Sequence, residues 1–548
     1  MCRVPVRFRI KLESKAFVRD ATGLVREYGG LDVLLVASAL VFALVFSTTQ
    51  FAWFYGNTGG ADLTTSLIVA AVPFLFLMVT YWVIGIVMPR TGNDYVWTGR
   101  IFHPSIGFVW SLVYVFGGVF FAGYIGACLN EFSFAFSIAL TTLGLTSNSS
   151  GLANLGNFLG GPVGTFELGV LLVVASGAFA LFGSKFIKGL IYFSWVAAII
   201  GSVLMWYILG SVTPTTFASN WNALLVPSLG NNATYQAVQA AGAAGGYTPA
   251  PPGFSAIVGA LPLASLFLFG GNYANAFAGE IKNVRKSIPI ALFLSLILGI
   301  VWWSITATVT LNAVGANWMA SVGYAWVNGL HSYALPFPPS QPLMLAVAAY
   351  PNTGLTYLMM ITYLAGSLAP LFAYFWIPTK YMFAWAFDRV IPTKFADVNE
   401  RFHTASVSIL GTMVISIIGL AAFLFLGWSS AFTLGTVIWG VSFVIPALAL
   451  VVFPYVKKDI FEQAPGFVKA KIAGIPIMSI IGLITAVSFA GIAYIAYITP
   501  ADVVPTTFGF EVVAAIIVIG FAIYFASWSI HKRQGIDISQ ALKQIPPE

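Results

Sequence analysis

Twelve stretches of this chain stay apolar for about 20 residues, the length a helix needs to cross the hydrocarbon of a bilayer. They fall at 33–56, 65–88, 105–130, 167–186, 190–212, 256–280, 289–312, 355–378, 405–426, 430–455, 473–498 and 508–529. Of the 548 residues, 59% are hydrophobic and only 8% charged, whereas an ordinary globular domain carries roughly a quarter charged residues. A water-soluble fold cannot hide that much apolar surface, so lipid must be its solvent. The runs are too long for barrel strands and lack two-residue alternation, so helices are expected. The first run is 24 residues long and follows a polar arm; it exceeds the core of a signal peptide and reads as a retained span.

Charge placement supports the count of twelve. If loops are assigned alternately to two sides, all 25 Lys and Arg residues fall on the side of the N-terminus. The opposite loops, including 213–255 and 313–343, hold none. Basic residues near span ends stay cytoplasmic, so both termini are expected there, in a multi-pass protein of the cell membrane. The net charge of +7 is then a topology signal, not a sign of nucleic acid. Loop 213–255, rich in Ala, Gly, Pro and Asn, reads as an irregular polar cover. The sequons at Asn148 and Asn232 lie in loops assigned to the outer side.

Several chemistries find no support. Cys2 and Cys128 offer no disulfide framework or metal-ligand spacing. His103, His331, His403 and His531 all lie near span ends or in loops, which argues against haem or metal. No phosphate-binding GxxxxGK loop occurs, which disfavours ATP-driven transport. No acid–base pair or metal cluster shares one apolar zone, so an enzyme is not expected, and no cofactor is implied.

The informative irregularity is "LFLFGGNYANAFAGEIKNVRKSIP", residues 266–289. Gly270 and Gly271 lie midway through the sixth run, where they allow either close packing or a broken helix. Asn272, Asn275 and Gly279 are spaced to share one helical face, and a polar face at that depth must meet protein or water. Broken membrane helices line cavities, and their free backbone groups form ion and substrate sites. The first run carries Ser47, Thr48, Thr49 and Gln50 at mid-depth. Its hydroxyls either bond back to their own helix or mark a second break. Runs one and six open two five-span halves, and matching interruptions in two halves point to a transporter site.

"FLFGGNYANAFAGEIKNVRKSIPIAL" resembles the sixth-span signature of the amino acid–polyamine–organocation (APC) permeases. "PRTGNDYVWTGRIFHPSIGFVWSLVYV" (89–115) and "KYMFAWAFDRVIPTKFADVNERFHT" (380–404) resemble the family at fitting positions. The resemblance implies a five-plus-five inverted repeat with broken helices 1 and 6 and two extra C-terminal helices. On that division, 1–30 is a cytoplasmic arm and 31–455 the ten-helix core, with repeats 31–212 and 256–455. Helices 11 and 12 occupy 456–530, and 531–548 is a cytoplasmic tail. The resemblance also places Phe267, Phe269, Gly270 and Gly271 in the sixth-helix break, with Phe269 over the substrate. The chain departs from the family in four places. The usual glycine cluster is missing from the first helix, Tyr273 stands at an often acidic position, Val284 replaces a common proline, and span five has no central lysine.

The expected activity is secondary active transport of an amino acid or related amine. Thr48, Thr49 and nearby amides would hold a carboxylate, since helix N-termini favour anions. Carbonyls around Phe267, Phe269 and Gly270 would accept from the ammonium, and Asn272 and Asn275 would line the path. Candidates for a coupling ion, H+ or Na+, are Glu131 and Ser367. Glu131 reads alternatively as an outer helix end, and Ser367 as a packing serine. Glu280 with Lys282 and Arg285, or Asp388 with Arg389, would either anchor the interface or close an inner gate. Two other readings stay open: a carrier of a nucleobase or organic cation on the same fold, and a sensor using the same pocket without transport.

Overall fold

A computed structural model describes residues 26–41, 48–249, 253–351, 354–426, 435–499, 506–536 and 538. The chain starts with α1 (Gly30–Val41) and α2 (Gln50–Asn57), then the rod α3 (Leu63–Val87). Asp62 starts α3 by accepting from the Thr65 amide at 2.6 Å, which satisfies one of the free amides of a first helical turn. Next come α4 (Asp94–Ile101), α5 (Pro104–Leu112), a π-helical stretch Val113–Leu129 and α6 (Asn130–Ser147). The first half continues with α7 (Ser150–Gly160), α8 (Pro162–Leu181) and α9 (Ser184–Gly210).

After α10 (Pro214–Leu229) and α11 (Tyr235–Ala244), α12 (Phe254–Leu266) leads into a 3-10 helix, Gly271–Glu280. Then follow α13 (Val284–Val314), α14 (Ala316–Val327), the short α15 (Ala346–Ala349), α16 (Gly354–Gly366) and α17 (Leu368–Phe387). The chain closes with α18 (Ser406–Phe425), α19 (Gly435–Val456), α20 (Lys458–Gln463), α21 (Ile477–Ile498) and α22 (Thr506–Arg533). A two-residue hairpin at 471–476 precedes α21.

Among the described residues, ten helical segments are long and apolar enough to cross a membrane. They match the expected spans except the first and third, which supply only the shorter apolar helices Gly30–Val41 and Pro104–Gly117. The third run changes winding at Val113, and in the first run residues 42–47, between α1 and α2, lie outside the described residues. That third run also continues well past its expected end, through α6 to Ser147. Apolar side chains face outward along the rods, for example Ile68 and Val72 on α3 and Val196 and Ile199 on α9. Buried serines and threonines face inward, as in Ser194, Ser202 and Thr306. This inversion suits lipid as the solvent, with small and hydroxylated residues at helix contacts.

Loop 213–255 is not an irregular cover; it contains α10 and α11. The alanines counted as loop-like are the strongest helix formers. Thr213 and Thr234 supply caps, accepting from the Thr216 and Ala237 amides at 3.3 and 3.2 Å. The two helices pack on α14 through rings: Tyr235 stacks on Trp318 at 5.2 Å, and Trp221 meets Trp318 edge-on at 5.2 Å. The Trp318 indole donates to the Tyr235 carbonyl at 3.0 Å, and Tyr235 donates to the Val314 carbonyl at 2.7 Å.

This cap grips α2 through two glycines. A Cβ added to Gly323 would sit 2.5 Å from the Ala52 carbonyl oxygen and 3.1 Å from the Gly56 nitrogen. Gly323→Val should therefore lower the thermal midpoint of detergent-purified protein, at an overpacking cost of about 1–3 kcal/mol. Gly259→Ala, with nothing within 4 Å of the added carbon, should not; equal melting of the two variants would contradict this contact.

Candidate functional site

Span six breaks at its glycines. α12 ends at Leu266, the chain turns, and Gly270 adopts φ 119° and ψ −30° before the 3-10 helix begins. A side chain is strained in that conformation. Space is as short as torsion: a Cβ on Gly270 would lie 2.6 Å from the Leu40 Cβ and 2.8 Å from its carbonyl carbon. Gly271 comes equally close to Ser295 Oγ, at 2.7 Å from a would-be Cβ. The break in span six thus rests on the end of α1. Thr48 and Thr49 lie outside the α-helices, with Thr49 at φ −125° and ψ −33° before α2. Ser47 lies outside the described residues.

Polar contacts radiate from this junction. The Thr49 hydroxyl donates to Glu131 Oε1 on α6. Thr48 Oγ1 lies 3.4 Å from the Tyr363 hydroxyl on α16, and Gln50 is buried at the start of α2. Asn272 donates to the Tyr114 hydroxyl at 3.0 Å, and Asn275 to the Tyr81 carbonyl at 2.8 Å. Gly85 admits Asn275, because a Cβ there would lie 2.8 Å from its amide nitrogen. Phe269 is set among Trp439, Phe74 and Phe443, with centroids at 4.4, 5.1 and 5.7 Å, and Phe267 stands edge-on to Trp303 at 4.5 Å. Ser367, between α16 and α17, donates back to the Tyr363 carbonyl at 3.0 Å.

A second polar layer lies at the end of the bundle where α1 begins. The Glu27 and Tyr28 amides donate to the Glu280 carbonyl at 2.9 and 3.0 Å, and the Lys282 amide returns a bond to Tyr28 at 2.9 Å. The entry to span one is thereby tied to the exit of span six. Glu280 and Lys380 form an ion pair at 2.6 Å, and the ammonium also lies over the Trp376 ring, 4.9 Å from its centroid. Tyr28, Phe277 and Trp376 close the layer with mutual centroid distances of 5.7, 5.9 and 5.4 Å.

Beside them, Arg100 donates to Asp388 Oδ2 at 2.6 Å, and the same oxygen accepts from Tyr95 at 2.8 Å. Asp94, on the connection between α3 and α5, accepts from Tyr381 at 2.6 Å and Tyr81 at 3.0 Å. Burial pushes its carboxyl up to about 6, against the lowering effect of those two hydroxyls.

With this geometry in view, comparison with known proteins is decisive on ancestry. A family model described as amino acid permease matches residues 34–523. The chain belongs to the amino acid permease family of the APC superfamily. No curated protein matches it significantly. Family and helical architecture together make the chain a multi-pass membrane transporter.

The structure of the permease corrects several sequence expectations. Glu131 is not a solvated helix end; it is 4% exposed and reaches the junction, because the helix carrying it runs on to Ser147. Gly279 does not share the asparagine face: a 3-10 helix keeps residues i and i+3 aligned but turns i+7 away. Among the described ion pairs, Glu280 is held by Lys380 and Asp388 by Arg100, where the sequence pointed to Lys282 or Arg285 and to Arg389. Lys380 comes from the helix of span eight and Arg100 from α4, each far in sequence from the acid it holds. Lys380, Arg100, Tyr363 and Tyr114 escaped the sequence reading. The two cations had looked like ordinary topology charges, and tyrosines are too common in apolar runs to stand out.

Arg100 and Asp388 are both almost fully buried, with side chains 1% and 2% exposed. Removing one charge of a buried pair costs about 3–5 kcal/mol, while apolar replacement of both is often tolerated. Asp388→Asn should therefore melt at markedly lower temperature than the wild-type permease. The double variant Arg100→Met with Asp388→Leu should recover most of that loss in the same thermal assay.

Proposed function

We propose that this permease is a secondary carrier that moves an amino acid or related amine across the cytoplasmic membrane by alternating access. The observation that carries the reading is the packing of the Gly270 break against the end of α1, the same span in which Thr48 and Thr49 lie outside the α-helices. Two interrupted spans meeting at mid-bundle expose backbone donors and acceptors to one small solute. The interrupted pieces α1–α2 and α5 with its π-helical continuation serve as spans one and three, giving twelve spans in a five-plus-five repeat with two more. The basic residues at the α1 entry end make that end, and both termini, cytoplasmic.

In this mechanism the amides at the start of α2, with the Thr48 hydroxyl, bind the substrate carboxylate, while the Thr49 hydroxyl is engaged by Glu131. The carbonyls of Phe267 and Phe269 accept from its ammonium. The Gly270 carbonyl accepts from the same ammonium through its second lone pair, the first being taken by the Tyr273 amide at 2.9 Å. Asn272 and Asn275 hold the 3-10 helix against the π-helical stretch and α3, and so shape the path. The Glu280–Lys380 and Arg100–Asp388 pairs close the cytoplasmic mouth and separate when it opens. Every step is a movement of helices around a bound solute, and no bond of the solute is broken.

Counterflow in proteoliposomes tests this. Liposomes loaded with the common amino acids should take up one or more labelled members of the set without any ion gradient. A nucleobase or organic cation exchanging in their place would change the solute, and no exchange of any solute would favour a sensor. Gly270→Ala and Gly271→Val should each weaken uptake by roughly tenfold or more, the effect of about 1.4 kcal/mol. Normal transport with unchanged affinity in both variants would remove the site from this junction.

A further inference from the structure

Glu131 is a buried carboxylate of the described bundle interior that has neither a described cation beside it nor a described partner for its second oxygen. The other buried acids are compensated: Glu280 and Asp388 by cations, and Asp94 by two tyrosine hydroxyls. Glu131 is 4% exposed and takes part in no described ion pair; the Thr49 hydroxyl bonds Oε1, while Oε2 meets no donor or acceptor among the described residues. An intramembrane ionisable residue is costly, and one retained without a cation calls for a function.

The elements around it supply no cation. The π-helical stretch carries Tyr114, Tyr124 and Cys128; α16 carries Tyr357 and Tyr363; α8 carries Glu167 and α2 carries Tyr55. The facing helices α7 and α10, and the segment Gln341–Leu345, carry no titratable side chain. Two species satisfy an acid so placed. One is a proton, which makes the group neutral; the other is the ammonium of a bound amine.

We propose that Glu131 is a proton-binding site of the transport cycle, and that Thr49 passes its charge state to the interruption of the first span. The reading rests on the carrier function proposed above and names its driving ion. A proton from the outer solution bonds to Glu131 and leaves to the cytoplasm when the site opens inward. Only an O–H bond forms and breaks, and the proton gradient supplies the work. The geometry favours a proton over an ammonium. The described side-chain hydrogen bond of Glu131 is with the hydroxyl of the residue preceding α2, and ionisation demands more of that donor than the neutral acid does. Charge on Glu131 therefore pulls on Thr49, and its loss releases the residue that starts α2.

The test uses the full chain in liposomes containing a pH-sensitive dye, with an equimolar mixture of the common amino acids as probe. In the wild type, adding the mixture outside should acidify the lumen, and a protonophore should abolish accumulation. Glu131→Gln mimics the protonated acid; it should reduce the acidification roughly tenfold or more and leave an exchange rate that no longer varies with pH. Glu131→Asp keeps a titratable group and should retain acidification, which guards against a folding defect in the glutamine variant. Thr49→Val removes a donor to the charged form, so the pH midpoint of uptake should rise.

Absence of counterflow in the wild type overturns the carrier reading, and the proton site falls with it. Counterflow without amino-acid-dependent acidification overturns the proton site alone, as does undiminished acidification in Glu131→Gln. Folded Glu131→Gln protein that no longer binds the mixture at any pH assigns Glu131 to the substrate amine instead. An unmoved midpoint in Thr49→Val overturns the part given to Thr49.

Discussion

At mid-bundle the sixth span presses its bare Gly270 α-carbon against Leu40 at the end of α1. Nothing larger than hydrogen fits at the Gly270 α-carbon, so the two chains approach to a distance that ordinary helices cannot reach. From this contact follow the turn after Leu266, the 3-10 winding after Gly271 and the placement of both asparagines. A tighter helix rotates its side chains faster, which keeps Asn272 and Asn275 in line and directs them at Tyr114 and Tyr81. The interruption is thus anchored on three sides by α1, the π-helical stretch and α3, and is not a loose segment.

Much of the fold was legible because a bilayer allows few solutions. Apolar length gave the rods, and the glycine pair gave the position at which span six loses its winding. What stayed hidden was a matter of winding and of distance. A change from α to π at Val113 leaves no mark on hydropathy, since the same residues are apolar in either helix. It does change how far the following helix turns, and so brings Glu131 inward. The paired charges were hidden for a different reason: sequence proximity suggested Arg389 for Asp388, whereas packing brought Arg100 from α4, far away in the chain. The threonines of span one were legible as polar residues at mid-depth, but their partners Glu131 and Tyr363 were fixed only by the bundle.

The polar interior divides into two layers with different chemistry. At the α1 entry end, charges are matched by opposite charges or by tyrosine hydroxyls, and aromatic rings fill the space between them. At the junction, one acid is held by a single hydroxyl and the remaining contacts are neutral. A transporter needs both, one layer that holds a closed shape firmly and another that responds to what is bound.

The two-glycine crossing of α2 and α14 bears on the mechanics of the far side. An eight-residue helix whose Ala52 and Gly56 press against Gly323 of α14 has no room to slide along its neighbour. Through the stacked rings of Tyr235 and Trp318, α14 is in turn locked to α11. The upper portion of span one therefore travels only as part of a larger block, so a rearrangement there must carry α14 and α11 with it.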